Sequence, residues 1–175
     1  VLFAICGCLY LFHFFFFWFF QSTDSIFYYL FAEYMKTGSY RAPHPYFYTV
    51  PSTMEPPLYS VIIFLLQFID RSDIILHGLQ LSGIFISGIL IFKMCCFYMK
   101  NRLAMVVSVL FLLFPAHLIY ASNMVAEPIA ILYITVYLFI LHLVLNKKRS
   151  NLLGFLLVFS AVISLHRYNL IGFFG

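Results

Sequence analysis

Charge is scarce in this chain. Only 9% of its 175 residues are Asp, Glu, Lys or Arg, whereas 64% are hydrophobic and the mean hydropathy is +1.00. A soluble domain of this size could not cover its surface with so few polar groups, so a bilayer is the solvent the composition demands. Cations are few as well: ten Lys and Arg, spread over short segments, leave a net charge of +4. That dispersal argues against nucleic acid as a partner and fits the orientation of membrane spans. Cysteine supplies no framework either. Cys6/Cys8 and Cys95/Cys96 sit in apolar runs with no His or acid at ligand spacing, which reads as packed thiols. The chain starts at Val1 without Met or a basic leader and ends in the apolar run IGFFG, so it is expected to be the front portion of a longer membrane protein. A signal peptide over residues 1–20 fits poorly, because the run is long and no small-residue cleavage site follows Phe20.

What the chain has in quantity is apolar runs of spanning length. Residues 1–20 carry no formal charge and match about 30 Å of hydrocarbon. Further spans are expected over about 74–99, 103–122, 126–146 and 151–170. The expected fold is therefore all-α, a polytopic membrane helical bundle without internal repeat or domain boundary. Gly78, Ser82, Gly83, Ser87 and Gly88 give the second span small residues for close helix packing. Lys100/Arg102 and Lys147/Lys148/Arg149 flank a helical hairpin and so share one side, which the positive-inside rule makes cytoplasmic.

Between the first two spans lies a long polar interruption, residues 21–73, expected on the outer face. It holds Asp24, Glu33, Glu55, Asp70 and Asp73, five of the six acids in the chain. Thr23 or Ser22 can cap a helix beginning near Asp24, and apolar residues at 27, 28, 30, 31, 34 and 35 give it an amphipathic face. Too short and too charged to span, it should lie along the interface and stop at Gly38. RAPHPYFYTVPSTMEPP follows, and its five prolines exclude regular helix. Leu58–Ile69 is apolar but short for a crossing, so it reads as a second juxtamembrane or re-entrant helix. Asp70, Arg71 and Asp73 then form a solvated turn.

Asp24 and Glu127 each have an ordinary reading as an acid in the first turn of a helix, favoured by the macrodipole. Their shared placement on one face of the membrane points instead to a site. His13, His77, His117 and His142 occur singly within spans and read as packed rings.

These residues carry a resemblance. Asp24 followed by Tyr28-Tyr29, Ala32 and Gly38, then Glu55-Pro56-Pro57-Leu58-Tyr59, then Ala126-Glu127-Pro128 opening a span, resembles the N-terminal part of polytopic glycosyltransferases of the GT-C fold. The likeness is to the protein O-mannosyltransferase and aminoarabinose-transferase branch. It covers nearly the whole chain in order and topology, through short motifs. Asp24-Ser25 stands where the O-mannosyltransferases tend to have Asp-Glu, and Glu55 precedes Pro-Pro-Leu where relatives often have a basic or aromatic residue.

The resemblance implies an inverting transferase. It would take sugar from a polyprenyl-phosphate carrier and place it on a protein, lipid or glycan acceptor at the outer face of the plasma or inner membrane. Asp24 would be the catalytic base, or would hold the acceptor. Glu127, with Glu55 as a weaker counterpart, would orient sugar or acceptor, or help bind a divalent cation (Mg or Mn) where one is used. Arg167 with His166 would hold the phosphate, against an alternative in which Arg167 rests on lipid headgroups. Lys36 and Arg41 could serve the same phosphate or simply stay solvated. Tyr28 and Tyr59 could stack on the sugar or line the lipid groove, against an alternative of anchoring at the interface. Two other readings remain open: a polytopic transporter or lipid flippase, and a membrane assembly subunit without catalysis.

Overall fold

The computed structural model describes residues 1–17, 23–38, 57–69, 71–123, 125–147 and 150–166. Among them the architecture is all-helical: α1 (Leu2–Phe16), α2 (Thr23–Thr37), α3 (Pro57–Leu66), α4 (Ser72–Cys95), α5 (Asn101–Leu112), α6 (Pro115–Ser122), α7 (Glu127–Lys147) and α8 (Leu153–His166). α4 is the hub. At about 1.5 Å per residue its 24 residues run about 36 Å, enough to cross the hydrocarbon layer. It packs along α7, carries α5 and α1 on other faces, and meets α3 and α6 near one end. α2 lies on α3, and α8 lies on α7.

The close packing on α4 follows from its small residues, which are divided among several neighbours. Gly83 faces Leu132 and the Pro128 carbonyl of α7, Gly88 faces Leu112 of α5, and Gly78 faces Phe14 of α1. A Cβ added to Gly88 would stand 2.6 Å from Leu112 Cγ, so only glycine lets α5 approach this closely. Ser108 closes the contact by donating its hydroxyl to the Gly88 carbonyl.

Of the five expected spans, two or three are long and apolar enough to cross a membrane among the described residues. α4 and α7 are long and apolar enough to cross a membrane, and the pair α5–α6 makes a third if counted as one bent span. α1 and α8 are shorter apolar helices, and the remaining parts of their stretches fall on residues outside those described. The run 103–122, expected to be one continuous span, is broken by 41° between α5 and α6. Pro115 is the cause: its nitrogen bears no hydrogen and its ring crowds the preceding turn. Two side chains compensate at the break. His117 Nδ1 lies 2.8 Å from the Phe111 carbonyl, to which it can only donate, and the Tyr10 hydroxyl donates to the Leu112 carbonyl at 3.0 Å. His117 is thus packed, as expected, but also repairs the helix.

The two ends of the bundle differ in chemistry. At one end the turn after α4 meets the last turn of α7, where the Tyr98 hydroxyl and His142 Nδ1 are 2.9 Å apart and Asn146 donates to both. Lys93, Lys100 and Arg102 are exposed on the segments meeting there. At the opposite end lie Asp73, Glu127 and the helices α2 and α3. A buried cluster of Tyr28, Ala32, Tyr59, Ile63, Leu76, Ala126 and Ile129 joins α2, α3, α4 and α7 there.

α2 and α3 follow the sequence closely. α2 stops where Gly38 adopts φ +67° and its amide returns to the Tyr34 carbonyl at 2.8 Å, the left-handed ending glycine permits. α3 begins at Pro57, where the missing N–H costs nothing, and ends at Leu66, short of the expected Ile69.

Candidate functional site

The site is built on a buried amide. Gln80, fully buried on α4, donates Nε2 to the Val125 carbonyl at 2.7 Å and to the Tyr59 hydroxyl at 2.9 Å, with the Asn123 carbonyl at 3.3 Å. One side chain therefore fixes α3 and the turn entering α7 to the same point of α4. Tyr59, itself fully buried, meets Tyr28 of α2 edge to face, with ring centroids 4.7 Å apart at 77°. Burial pushes the Tyr59 hydroxyl well above its usual pKa, and the nearby acidic groups of Tyr28, Tyr29 and Glu127 push the same way. Glu127 opens α7 two residues after Val125, within electrostatic range of that hydroxyl.

A second tie holds α2. The Tyr29 hydroxyl donates to Asp73 Oδ1 in the first turn of α4. Burial is the main reason the Tyr29 hydroxyl is raised, and its bond to the Asp73 carboxylate adds to the effect. Asp73 is thus bonded, where the sequence suggested a solvated turn. Arg71 fits that expectation: it is exposed in the turn before α4, in the left-handed region at φ 62° and ψ 39°.

Beneath this layer, α1, α4 and α6 contribute a buried polar trio. Ser122 Oγ is 2.9 Å from His13 Nε2 and donates to the Leu118 carbonyl at 2.9 Å. With the hydroxyl hydrogen so used, His13 carries its own on Nε2 and donates it to Ser122. The His13 and His77 rings meet edge on, with centroids 5.7 Å apart.

The expected site residues fare unequally. Asp24 is the second residue of α2, one turn before Tyr28; its side chain lies outside what is described. The Asp24 backbone and Glu127 are therefore carried by elements that converge on Tyr59 and Gln80. Tyr28 and Tyr59, 3% and 0% exposed, fill each other's surroundings in the core and do not present a face to a sugar. Their part is to position α2 and α3, a correction to both the stacking and the anchoring expectations. Lys36 is exposed in the last turn of α2, about 18 Å along the helix from Asp24, too far to share its substrate atoms. His166 ends α8 with its side chain undescribed, and Glu55, Arg41 and Arg167 lie outside the described residues. Among the described residues no three His, Cys, Asp or Glu side chains gather as a metal site, so the divalent cation finds no ligand set there.

Sequence reasoning passed over Gln80, Tyr29 as a donor, and Ser122. One signal was available: Asp73, His77 and Gln80 recur at i, i+4 and i+7, a polar stripe on an otherwise apolar helix.

No family model, curated protein or solved structure matches this chain.

Proposed function

We propose that this protein is part of a multi-pass membrane glycosyltransferase with a GT-C-like bundle. It moves a sugar from a polyprenyl-phosphate donor to an acceptor at the non-cytoplasmic face of the plasma or inner membrane. One observation carries the reading: the helix whose first turn holds Asp24 and the helix that begins with Glu127 are fastened to the same buried point, Gln80–Tyr59, at the end of the bundle away from Lys93, Lys100 and Arg102. By the positive-inside rule that end is external. The GT-C resemblance supplies the chemistry.

In this mechanism Asp24 removes the acceptor hydroxyl proton as the acceptor oxygen bonds to the anomeric carbon. The bond from that carbon to the phosphate oxygen breaks with inversion, and the carrier leaves as polyprenyl phosphate. Glu127 holds sugar or acceptor hydroxyls. Arg167, with His166, is assigned to the departing phosphate, whose developing charge needs a cation in a low-dielectric site. Arg41 and Glu55, between α2 and α3 in the sequence, are secondary candidates for phosphate and substrate.

The test is transfer of labelled sugar from a polyprenyl-phosphate donor by the protein in proteoliposomes. Asp24→Asn should lower transfer by about 10²–10⁴-fold with membrane insertion unchanged, and near-normal transfer would remove Asp24 from the mechanism. Labelling of Ser52→Cys is expected from the outer side, and labelling solely from the cytoplasmic side would reverse the topology.

A polytopic transporter is the second reading, favoured by the broken α5–α6 span and the buried His13, His77 and Ser122 beside it. Transporters commonly place polar groups near interrupted helices at mid-bilayer. Solute uptake abolished by His13→Phe, without any sugar transfer by the unaltered protein, would select it.

A further inference from the structure

α1 leaves two adjoining spaces where it passes α4. The first is a cleft of about 590 Å3 at the acidic end of the bundle, lined by Phe14 to Phe17 of α1 and its end and by Arg71, Asp73 and His77. The second is an apolar groove of about 540 Å3, lined by Gly7, Tyr10, Gly78, Ser82, Phe85 and Ile86. Phe14 belongs to both, and Gly78 follows His77 directly, so the groove continues from the cleft. One is a polar mouth at the membrane surface, the other a slot open to hydrocarbon.

Charges of both signs line the mouth, but Arg71 and Asp73 are not paired with each other. Asp73 accepts the Tyr29 hydroxyl, while the exposed Arg71 guanidinium makes no ion pair among the described residues. A guanidinium at the interface, walled by aromatic rings, matches a phosphate in geometry and charge. The slot sets the length of what hangs below. From Gly78 to Ile86 it runs about 12 Å at 1.5 Å per residue. One leaflet contributes about 15 Å of hydrocarbon, half the bilayer core. An ordinary acyl chain fits that depth, whereas a long polyprenyl chain would overrun it.

We propose that this cleft and groove bind a phosphate-headed bilayer phospholipid, with Arg71 on the phosphate and one acyl chain between α1 and α4. The site stands independently of the glycosyltransferase reading. Its occupant is the surrounding solvent, so modest affinity suffices for occupancy. The bound lipid fills the space that the α1–α4 contact leaves open and so fixes the first helix to the hub.

The experiment uses the protein in vesicles doped with phosphatidylglycerol bearing a photoactivatable diazirine midway along one acyl chain, with the labelled peptides mapped by mass spectrometry. Label should concentrate on residues 7–14 and 78–86, above the exposed Leu103, Val106 and Leu110 of α5. Arg71→Gln should reduce the first signal about fivefold and leave the α5 signal unchanged, while Arg71→Lys retains most of it. Gly78→Leu, which projects a side chain into the slot, should reduce it as well. Equal labelling of both faces, or signal unchanged by Arg71→Gln, overturns the site. Displacement by equimolar isoprenoid monophosphate overturns the phospholipid assignment and gives the groove to an isoprenoid carrier.

Discussion

Replacing Gln80 with Leu should loosen the end of the bundle on which the site is built. The two side chains are similar in size, so the substitution mainly removes donors. Two buried acceptors, the Tyr59 hydroxyl and the Val125 carbonyl, lose them. Leaving a buried group unsatisfied costs about 1–3 kcal/mol. Against this, Gln80 Oε1 is itself buried without a hydrogen-bond partner among the described residues, and its removal returns part of that cost. Interhelical hydrogen bonds in a membrane protein average about 0.6 kcal/mol and reach about 1.7, which limits what two can contribute. The net expectation is a loss of about 2 kcal/mol, a shift of about 30-fold in the unfolding equilibrium. Equilibrium unfolding in mixed micelles, followed by near-ultraviolet circular dichroism of the tyrosines, measures it. A double-mutant cycle with Tyr59→Phe should give a coupling of about 0.6–1.7 kcal/mol. Additive effects of the two substitutions, or a loss below about 0.5 kcal/mol for Gln80→Leu, would refute the reasoning.

Tyr29→Phe removes the donor to Asp73 and should release α2 from α4, seen as faster amide exchange in α2 with α4 unaffected. The raised Tyr29 hydroxyl also sets a pH dependence: it contributes stability below the unfolded tyrosine pKa of about 10 that is lost as pH rises above it, and Tyr29→Phe should flatten that part of the profile. Gly88→Ala should cost about 1–3 kcal/mol in the same unfolding assay, because its methyl meets Leu112 at 2.6 Å, and a neutral result would contradict the α4–α5 packing. His117→Phe keeps a ring at the α5–α6 break but removes the donor to the Phe111 carbonyl; a loss of about 1 kcal/mol is expected in thermal unfolding.

The sequence discloses helices wherever a local rule suffices. Thr23, Gly38 and Leu58 mark boundaries through local signals, and the helices of the structure begin or end within a residue of each. α4 and α7 declare themselves by hydropathy over a spanning length. The break at Pro115 was open to the same kind of reading, but an apolar run masks a single proline when only hydropathy is weighed. What the sequence conceals is mutual satisfaction over long separations. Gln80 looks like a stray polar residue in a span until Tyr59 and Val125, distant in sequence, are brought to it. Asp73 looks solvated until Tyr29 arrives from another helix. Tyr28 and Tyr59 show the converse: aromatic residues in a polar loop suggest a ligand or the interface, yet each finds its partner in the other. For the candidate site, the placement of Asp24 and Glu127 at helix starts was legible, and the tie of their two helices to one buried amide was not.

The central claim is that α2 and α7 present Asp24 and Glu127 to one substrate. Cross-linking tests it most directly, with Asp24→Cys and Glu127→Cys introduced into a protein whose Cys6, Cys8, Cys95 and Cys96 are alanine. A short bifunctional maleimide added from the outer side of vesicles should join the two positions in high yield, and the polyprenyl-phosphate sugar should slow that reaction. Failure to join them, while each position is labelled singly by the same chemistry, would contradict the account.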